Sequence, residues 1–126
     1  MAELPEEVRI FLLESQENID KVEQNLLALE KSPGSADLIN GVFRAVHTIK
    51  GNSGFLAFPH LETLCHKGES ILDKARNGKI KLVPEIISLL LELVDAVRTI
   101  LGDIEASGKE GARTYPQLIQ KMLAYV

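Results

Sequence analysis

Apolar residues recur every three or four positions along most of this chain. Leu12, Ser15, Ile19, Val22, Leu26 and Leu29 set the rhythm in a first stretch, and Ile39, Val42, Val46, Ile49 and Ser53 continue it in a second. Leu61, Leu64, Gly68, Ile71 and Ala75 form a third. The fourth carries a broader stripe of Ile86, Ile87, Leu90, Leu93, Val94, Val97, Ile100, Leu101 and Ile104, which predicts the most buried element. This is the period of an α-helix that buries one face. No stretch alternates in the two-residue manner of a half-buried strand. Prolines at 5, 33, 59, 84 and 116 separate the stretches and read as helix openers, because proline is tolerated in a first helical turn but not inside a helix. Ser32-Pro33-Gly34-Ser35 ends one helix and caps the next, and Asn77-Gly78 supplies the left-handed residue that closes the third. Gly108 to Gly111 reads as a loop, after which Thr114 and Gln117 form a capping-box pattern ahead of Leu118, Ile119, Met122 and Leu123. Short links between long helices favour antiparallel neighbours. The expected fold is therefore all-α: an antiparallel up-down four-helix bundle with an additional short C-terminal helix, forming one domain over residues 1–126.

Composition narrows the partners. The 126 residues are 45% hydrophobic and 25% charged, in the range of an ordinary soluble globule. Fourteen Lys plus Arg against eighteen Asp plus Glu leave a net charge of −4, opposite to the basic footprint that binding a phosphate backbone needs, so nucleic acid is not an expected partner. Ser88 and Glu92 interrupt the longest apolar run, which falls far short of the roughly 20 residues of a membrane span. The acidic start, Glu3-Leu4-Pro5-Glu6-Glu7, does not resemble a secretory signal. The single cysteine, Cys65, falls near the core stripe, permits no internal disulfide and suits a reducing cytoplasm. A monomer is expected for the isolated domain.

One place in this patterned chain breaks the pattern with chemistry. In the second helix His47, Lys50, Gly51 and Gly54 stand at i, i+3, i+4 and i+7 and share one face. The core stripe runs through Val46 and Ile49, about 100° round the helix, so the imidazole should face a groove or solvent. A mid-helix glycine costs about 1 kcal/mol relative to alanine. Gly51, with Gly54 beyond it, therefore gives up stability to leave space beside His47, as a close approach by another molecule would require. Lys50, and more loosely Arg44, set positive charge where a phosphoryl group on the imidazole would need it. A surface histidine beside glycines that merely let helices pack is the plainer reading. In the third helix His66 and Glu69 stand at i and i+3, with Glu62 and Asp73 on the same strip. If the second and third helices form a hairpin turning near residues 54 to 58, either His66 or Glu69 comes level with His47. A carboxylate accepting the Nδ1 proton would leave Nε2 with its lone pair free, the better nucleophile; a solvated helix carboxylate is the competing reading for Glu69. His60 reads as a surface residue. Metal binding by His47, His66 and a carboxylate has little behind it, with no histidines at helical i, i+4 spacing. The chain also lacks a glycine-rich phosphate loop, so a nucleophile here must be served by a partner that holds ATP.

The run His47-Thr48-Ile49-Lys50-Gly51-Asn52-Ser53-Gly54, preceded by Phe43-Arg44-Ala45-Val46, resembles the phosphoacceptor motif of histidine phosphotransfer domains. Within that family the chain is most similar to the N-terminal domain of chemotaxis-type histidine kinases. The likeness extends through Phe11-Leu12-Leu13-Glu14, Gly54-Phe55-Leu56-Ala57-Phe58 and Leu72-Asp73-Lys74-Ala75-Arg76-Asn77-Gly78 to the Leu-rich fourth helix. The resemblance implies a phosphorelay module in which His47 is the phosphoacceptor, Lys50 positions the phosphoryl group and Glu69 orients the imidazole with His66 in support. Gly51, together with Arg44 and Gly54, would meet the partner. It further implies two partners, the catalytic domain of a histidine kinase and the receiver domain of a response regulator. No cofactor or metal is expected on this chain; ATP and magnesium would belong to the kinase, and magnesium also to the receiver. A helical docking module that binds such partners without carrying phosphate is the alternative, and it would have no use for the His47, Lys50 and Glu69 set.

Overall fold

The computed structural model describes residues 3–126. Five helices form: α1 (Glu6–Lys31), α2 (Ala36–Phe55), α3 (Pro59–Arg76), α4 (Pro84–Ser107) and α5 (Pro116–Met122). α2 packs on α1 and α3, and α4 packs on the same two, so the four long helices close a ring with α1 diagonal to α3 and α2 diagonal to α4. α5 lies across α3 and α4. The apolar stripes meet in one core, to which α4 contributes eleven buried residues, the largest share. Full burial of one such Leu or Ile side chain is worth about 1.5–3 kcal/mol. The two serines in the stripes are buried as well: the Ser53 hydroxyl donates to the Ile49 carbonyl, while the Ser15 hydroxyl has no partner among the described residues. Gly68 lets α3 and α4 approach, because a methyl group there would overlap the Leu93 side chain.

Pro59, Pro84 and Pro116 open their helices as expected, but Pro5 is the residue before α1 and Pro33 lies in the preceding loop. The cap of α2 is Ser35, whose hydroxyl accepts from the Leu38 N–H. α2 and α3 end alike. In α3 the N–H groups of Gly78 and Lys79 return to the carbonyls of Ala75 and Lys74, with Gly78 at φ 74°. In α2 those of Ala57 and Phe58 return to Gly54 and Ser53, so that the left-handed position is filled by Ala57 at φ 61°. Both are the paired-bond closure that satisfies orphan carbonyls, and only the second gives it to a residue with a Cβ.

The capping box expected at Thr114 and Gln117 does not form. Pro116, with its φ preset for a helix, takes the first helical position, so Tyr115 at φ 52° becomes the capping residue and Thr114 falls outside. A cap not anticipated from the sequence stands nearby. The buried Glu110 carboxylate, in the loop between α4 and α5, accepts from the N–H groups of His60 and Leu61 at 3.0 Å each. It satisfies two of the free donors in the first turn of α3 and places negative charge at the positive end of the helix dipole. His60 is thereby half-buried, not simply a surface residue.

Candidate functional site

The site lies where α2 and α3 run side by side. The short turn over residues 56–58 fixes their antiparallel register, and this brings Glu69, one helical turn beyond buried Cys65, level with His47. His47 Nδ1 and Glu69 Oε2 stand 2.7 Å apart, and Lys50 Nζ is 3.0 Å from both oxygens of the same carboxylate. Glu69 is thus the hub of a three-residue cluster, with its side chain only 16% exposed while that of His47 is 58% exposed. Partial burial by itself pushes the Glu69 carboxyl up, but hydrogen bonds from His47 and Lys50 and the Lys50 charge outweigh it and hold the carboxyl below its ordinary value. Glu69 is therefore an anion at neutral pH and can only accept. The proton of a neutral His47 ring then sits on Nδ1, leaving the Nε2 lone pair available.

Cys65 is adjacent to this cluster without belonging to its chemistry. Burial, followed by repulsion from Glu69 and only partly relieved by Lys50, pushes its thiol up to about 12. It remains a protonated core residue, as its place in the stripe implied.

The other expected residues divide. Gly51 is bare as anticipated: among the described residues, nothing beyond its own helix backbone lies within 4 Å of where a Cβ would be, so the α2 surface beside His47 is open. Gly54 does not share that opening, since the space beside it is occupied by the Glu62 carboxylate across the α2–α3 contact. Of the pair offered for the face opposite His47, the structure brings Glu69 and not His66. His66 is exposed, and its imidazole has no hydrogen-bond partner among the described residues, while its backbone carbonyl accepts from the Ser70 hydroxyl. Arg44 is exposed, with its carbonyl accepting from the Thr48 hydroxyl and no ion pair among the described residues. Asp73 is not a partner of the imidazole; it pairs with Arg76 at 2.9 Å.

Two groups near His47 escaped the sequence reading. Phe43, one turn before His47, lays its ring nearly parallel to the imidazole, at 9° with centroids 5.9 Å apart, and the Arg76 guanidinium sits 3.8 Å from the centre of that ring. Farther along α2, eight residues beyond His47, Phe55 is 86% exposed, and Ile10 and Leu13 of α1 are exposed too. Phe55 and Ile10 share a small hollow with Glu7, Glu14 and Asn52. A hollow of about 720 Å³ at the other end of the bundle, lined by residues such as Ile39, Leu82 and Ile87, contains none of His47, Lys50 or Glu69. The imidazole of His47 lies on an open face instead.

A bundle that presents an exposed imidazole backed by a carboxylate and a lysine, beside a bare glycine, is the form of a phosphoacceptor. The match to known proteins agrees: residues 6–100 fit the Hpt domain model, and the chain belongs to that family. It is 39% identical over 110 residues to the sensor histidine kinase CheAY of Helicobacter pylori, an alignment that takes in 87% of this chain and 14% of that protein. The chain thus spans about one seventh of that relative's length. Among solved structures, the CheA phosphotransferase domain from Thermotoga maritima is 38% identical, with a TM-score of 0.74 over 77% of this chain and 92% of that one. The phosphorylated P1 domain of CheA3 from R. sphaeroides, solved in complex with CheY6, is 28% identical, with a TM-score of 0.84 over 96% and 98%.

Proposed function

We propose that His47 carries a phosphoryl group between a histidine kinase and a response regulator. The carrying observation is the Nδ1–Glu69 hydrogen bond at 2.7 Å, which commits the other ring nitrogen to reaction. The Nε2 lone pair attacks the γ-phosphorus of ATP held by a kinase catalytic domain, the bond to ADP breaks, and the ring becomes cationic beside the Glu69 anion that offsets its charge. In the second transfer a receiver aspartate oxygen attacks phosphorus, and the N–P bonding pair returns to Nε2. Lys50, from the same face of α2, also anchors Glu69 and supplies a cation for the phosphoryl oxygens. ATP and magnesium belong to the partners, and this chain contributes the nucleophile and its aim.

A complex of a phosphorylated P1 domain with CheY6 supports the receiver as one partner, and the Gly51 opening with the exposed Phe55, Ile10 and Leu13 gives such a partner room and apolar surface on which to dock. A module fed from ATP by a kinase works in the cytoplasm. Among the described residues no helix is long and apolar enough to cross a membrane. The test is labelling with radioactive ATP, alone and with a histidine kinase catalytic domain, followed by mapping of the modified residue. Acid-labile phosphate on His47 only when the kinase is present is the expected result. Labelling with ATP alone would overturn the carrier reading, and labelling at another residue would overturn the assignment of His47.

A further inference from the structure

The hydrogen bond to Glu69 restrains the imidazole at Nδ1, but a carboxylate oxygen accepts over a broad range of directions. The side chain can therefore still rock about its two torsions together and carry Nε2 through an arc in solvent. The structure provides a second constraint. Phe43 and His47 stand four residues apart on α2, where side chains lie one above the other, and their rings are 9° from parallel with centroids 5.9 Å apart, the spacing of an offset stack. Phe43 is itself only half-buried and would be loose, but the Arg76 guanidinium from the end of α3 lies 3.8 Å from its ring centre. Arg76 is in turn held by Asp73 at 2.9 Å. A chain of contacts therefore runs from Asp73 through Arg76 and Phe43 to the imidazole, crossing from α3 to α2 one turn along from the Glu69 bond.

We propose that Phe43 and Arg76 are positioning residues for phosphotransfer: the stacked ring fixes the plane of His47 and the guanidinium fixes the stacked ring, so that Nε2 points along one line toward an incoming phosphorus. This rests on the reading of His47 as the phosphoacceptor. In-line displacement is sensitive to direction, and misplacement of a reacting atom by about 1 Å costs on the order of 100-fold in rate. The consequence falls on transfers made inside a partner's active site. A small donor free in solution, such as phosphoramidate, approaches Nε2 along whatever line the ring offers, forming the N–P bond as ammonia departs.

Phe43→Leu keeps an apolar side chain of similar reach and removes the flat face. Phosphorylated first with phosphoramidate, the variant should label within about threefold of the parent. Transfer to a CheY-type receiver in excess should be about tenfold slower at saturation, with little change in the half-saturating receiver concentration, the signature of lost aim rather than lost binding. Phe43→Tyr should restore the rate. In NMR spectra the His47 ring protons should move when the Phe43 ring current is removed and return toward their parent positions in Phe43→Tyr. Arg76→Lys, which keeps the charge but not the planar group, should slow transfer about threefold and serves as the test should Phe43→Leu prove unstable to heat. Parent-like transfer by Phe43→Leu or, where that variant does not fold, by Arg76→Lys would overturn the proposal, as would a loss of phosphoramidate labelling equal to the loss of transfer. If the parent chain accepts no phosphate on His47 from either donor, it is the phosphoacceptor reading that falls, and the ring-proton shifts still report whether the stack exists.

Discussion

Two charged triads tie the bundle together, and they differ in what they leave free. On the α1–α4 side Arg98 reaches Asp20 at 2.7 Å and Glu23 at 2.6 Å, and the hydrogen bonds it donates to both acids, Asp20 first, raise its already high pKa. On the α2–α3 side Glu69 holds His47 and Lys50. In the first triad the hub is a cation between two acids that are 59% and 42% exposed; in the second it is an anion only 16% exposed. Ion pairs open to water contribute about 0–1 kcal/mol and are weakened by salt. Arg98 cannot lose its proton in the working range, and its contacts serve only to fasten two helices. The Glu69 triad includes a ring with two nitrogens, and using one for fastening defines the other. The same elementary interaction thus gives a clasp in one place and an oriented, exposed imidazole in the other.

Replacing a residue in each triad gives the largest contrast. His47→Gln should fold with a stability within about 0.5 kcal/mol of the parent, since it alters an exposed position, and should accept no phosphate from a kinase. Residual acid-labile, alkali-stable phosphate on the variant would show that another histidine is the acceptor. Arg98→Met should label at the parent rate.

Two glycines sharpen the distinction between a surface meant for a partner and one already filled. Gly51→Leu should raise helix propensity and keep the circular dichroism of the parent, yet slow transfer to a receiver by about 100-fold because the side chain stands in the path of docking. Gly68→Ala should do the reverse. Leu93 is buried in the close-packed core, so a cost of about 1–3 kcal/mol is expected in urea unfolding, with phosphorylation intact at temperatures where the chain stays folded. A collapsed bundle in Gly51→Leu would place that residue among the packing glycines instead.

Glu69→Gln comes next in size. The amide can still accept from Nδ1 but no longer offsets the charge that develops on the ring, so phosphorylation by a saturating kinase domain should slow by about tenfold, near or below the low end for assistance of this kind. The same variant has a pH signature. Because the folded carboxyl is held below the ordinary value of 4.5, its contribution is complete above that value and is lost as pH falls through the folded pKa. Parent stability, read from urea midpoints, should decline through that acid window more steeply than the variant's, and identical slopes would show that Glu69 is not the depressed group. Arg98→Met should lower stability at neutral pH by no more than about 1 kcal/mol, less at high salt. The smallest effect belongs to Ala57→Gly, which relieves a left-handed alanine at the end of α2 and should raise the unfolding free energy by about 0.5 kcal/mol once the extra freedom of an unfolded glycine is subtracted.

The helices and their inward faces were legible because burial repeats with the helix period, and residues such as Val42, Ile49, Leu64 and Ile100 announce it without help from elsewhere in the chain. His47, Lys50 and Gly51 were legible for a related reason, as all three lie on one helix and their relation is set by spacing alone. Across two helices the reading weakened. Counting outward from the α2–α3 turn could not separate His66 from Glu69, which differ by less than one turn, and the choice depended on the rotation of α3 about its own axis. Phe43 and Arg76 meet across the same seam, and their contact depends on two side-chain conformations that no spacing specifies. The Thr114 and Gln117 box failed against a stronger local rule, the preference of Pro116 for the first helical position. Glu110 left no trace at all, since a carboxylate fifty residues downstream of the N–H it accepts from has no periodic signature.

That remote carboxylate also bears on where the molecule may be cut. The segment that matches the family ends at residue 100, whereas the acceptor for the opening turn of α3 lies at 110 and the helix covering α3 and α4 begins at 116. A version trimmed to residues 6–100 would keep His47, Lys50 and Glu69 yet leave the His60 and Leu61 N–H groups without their protein partner, and losing such a cap costs about 0.5–2 kcal/mol from the helix that carries Glu69. The portion of the chain that carries the chemistry is thus shorter than the portion that keeps α3 in place.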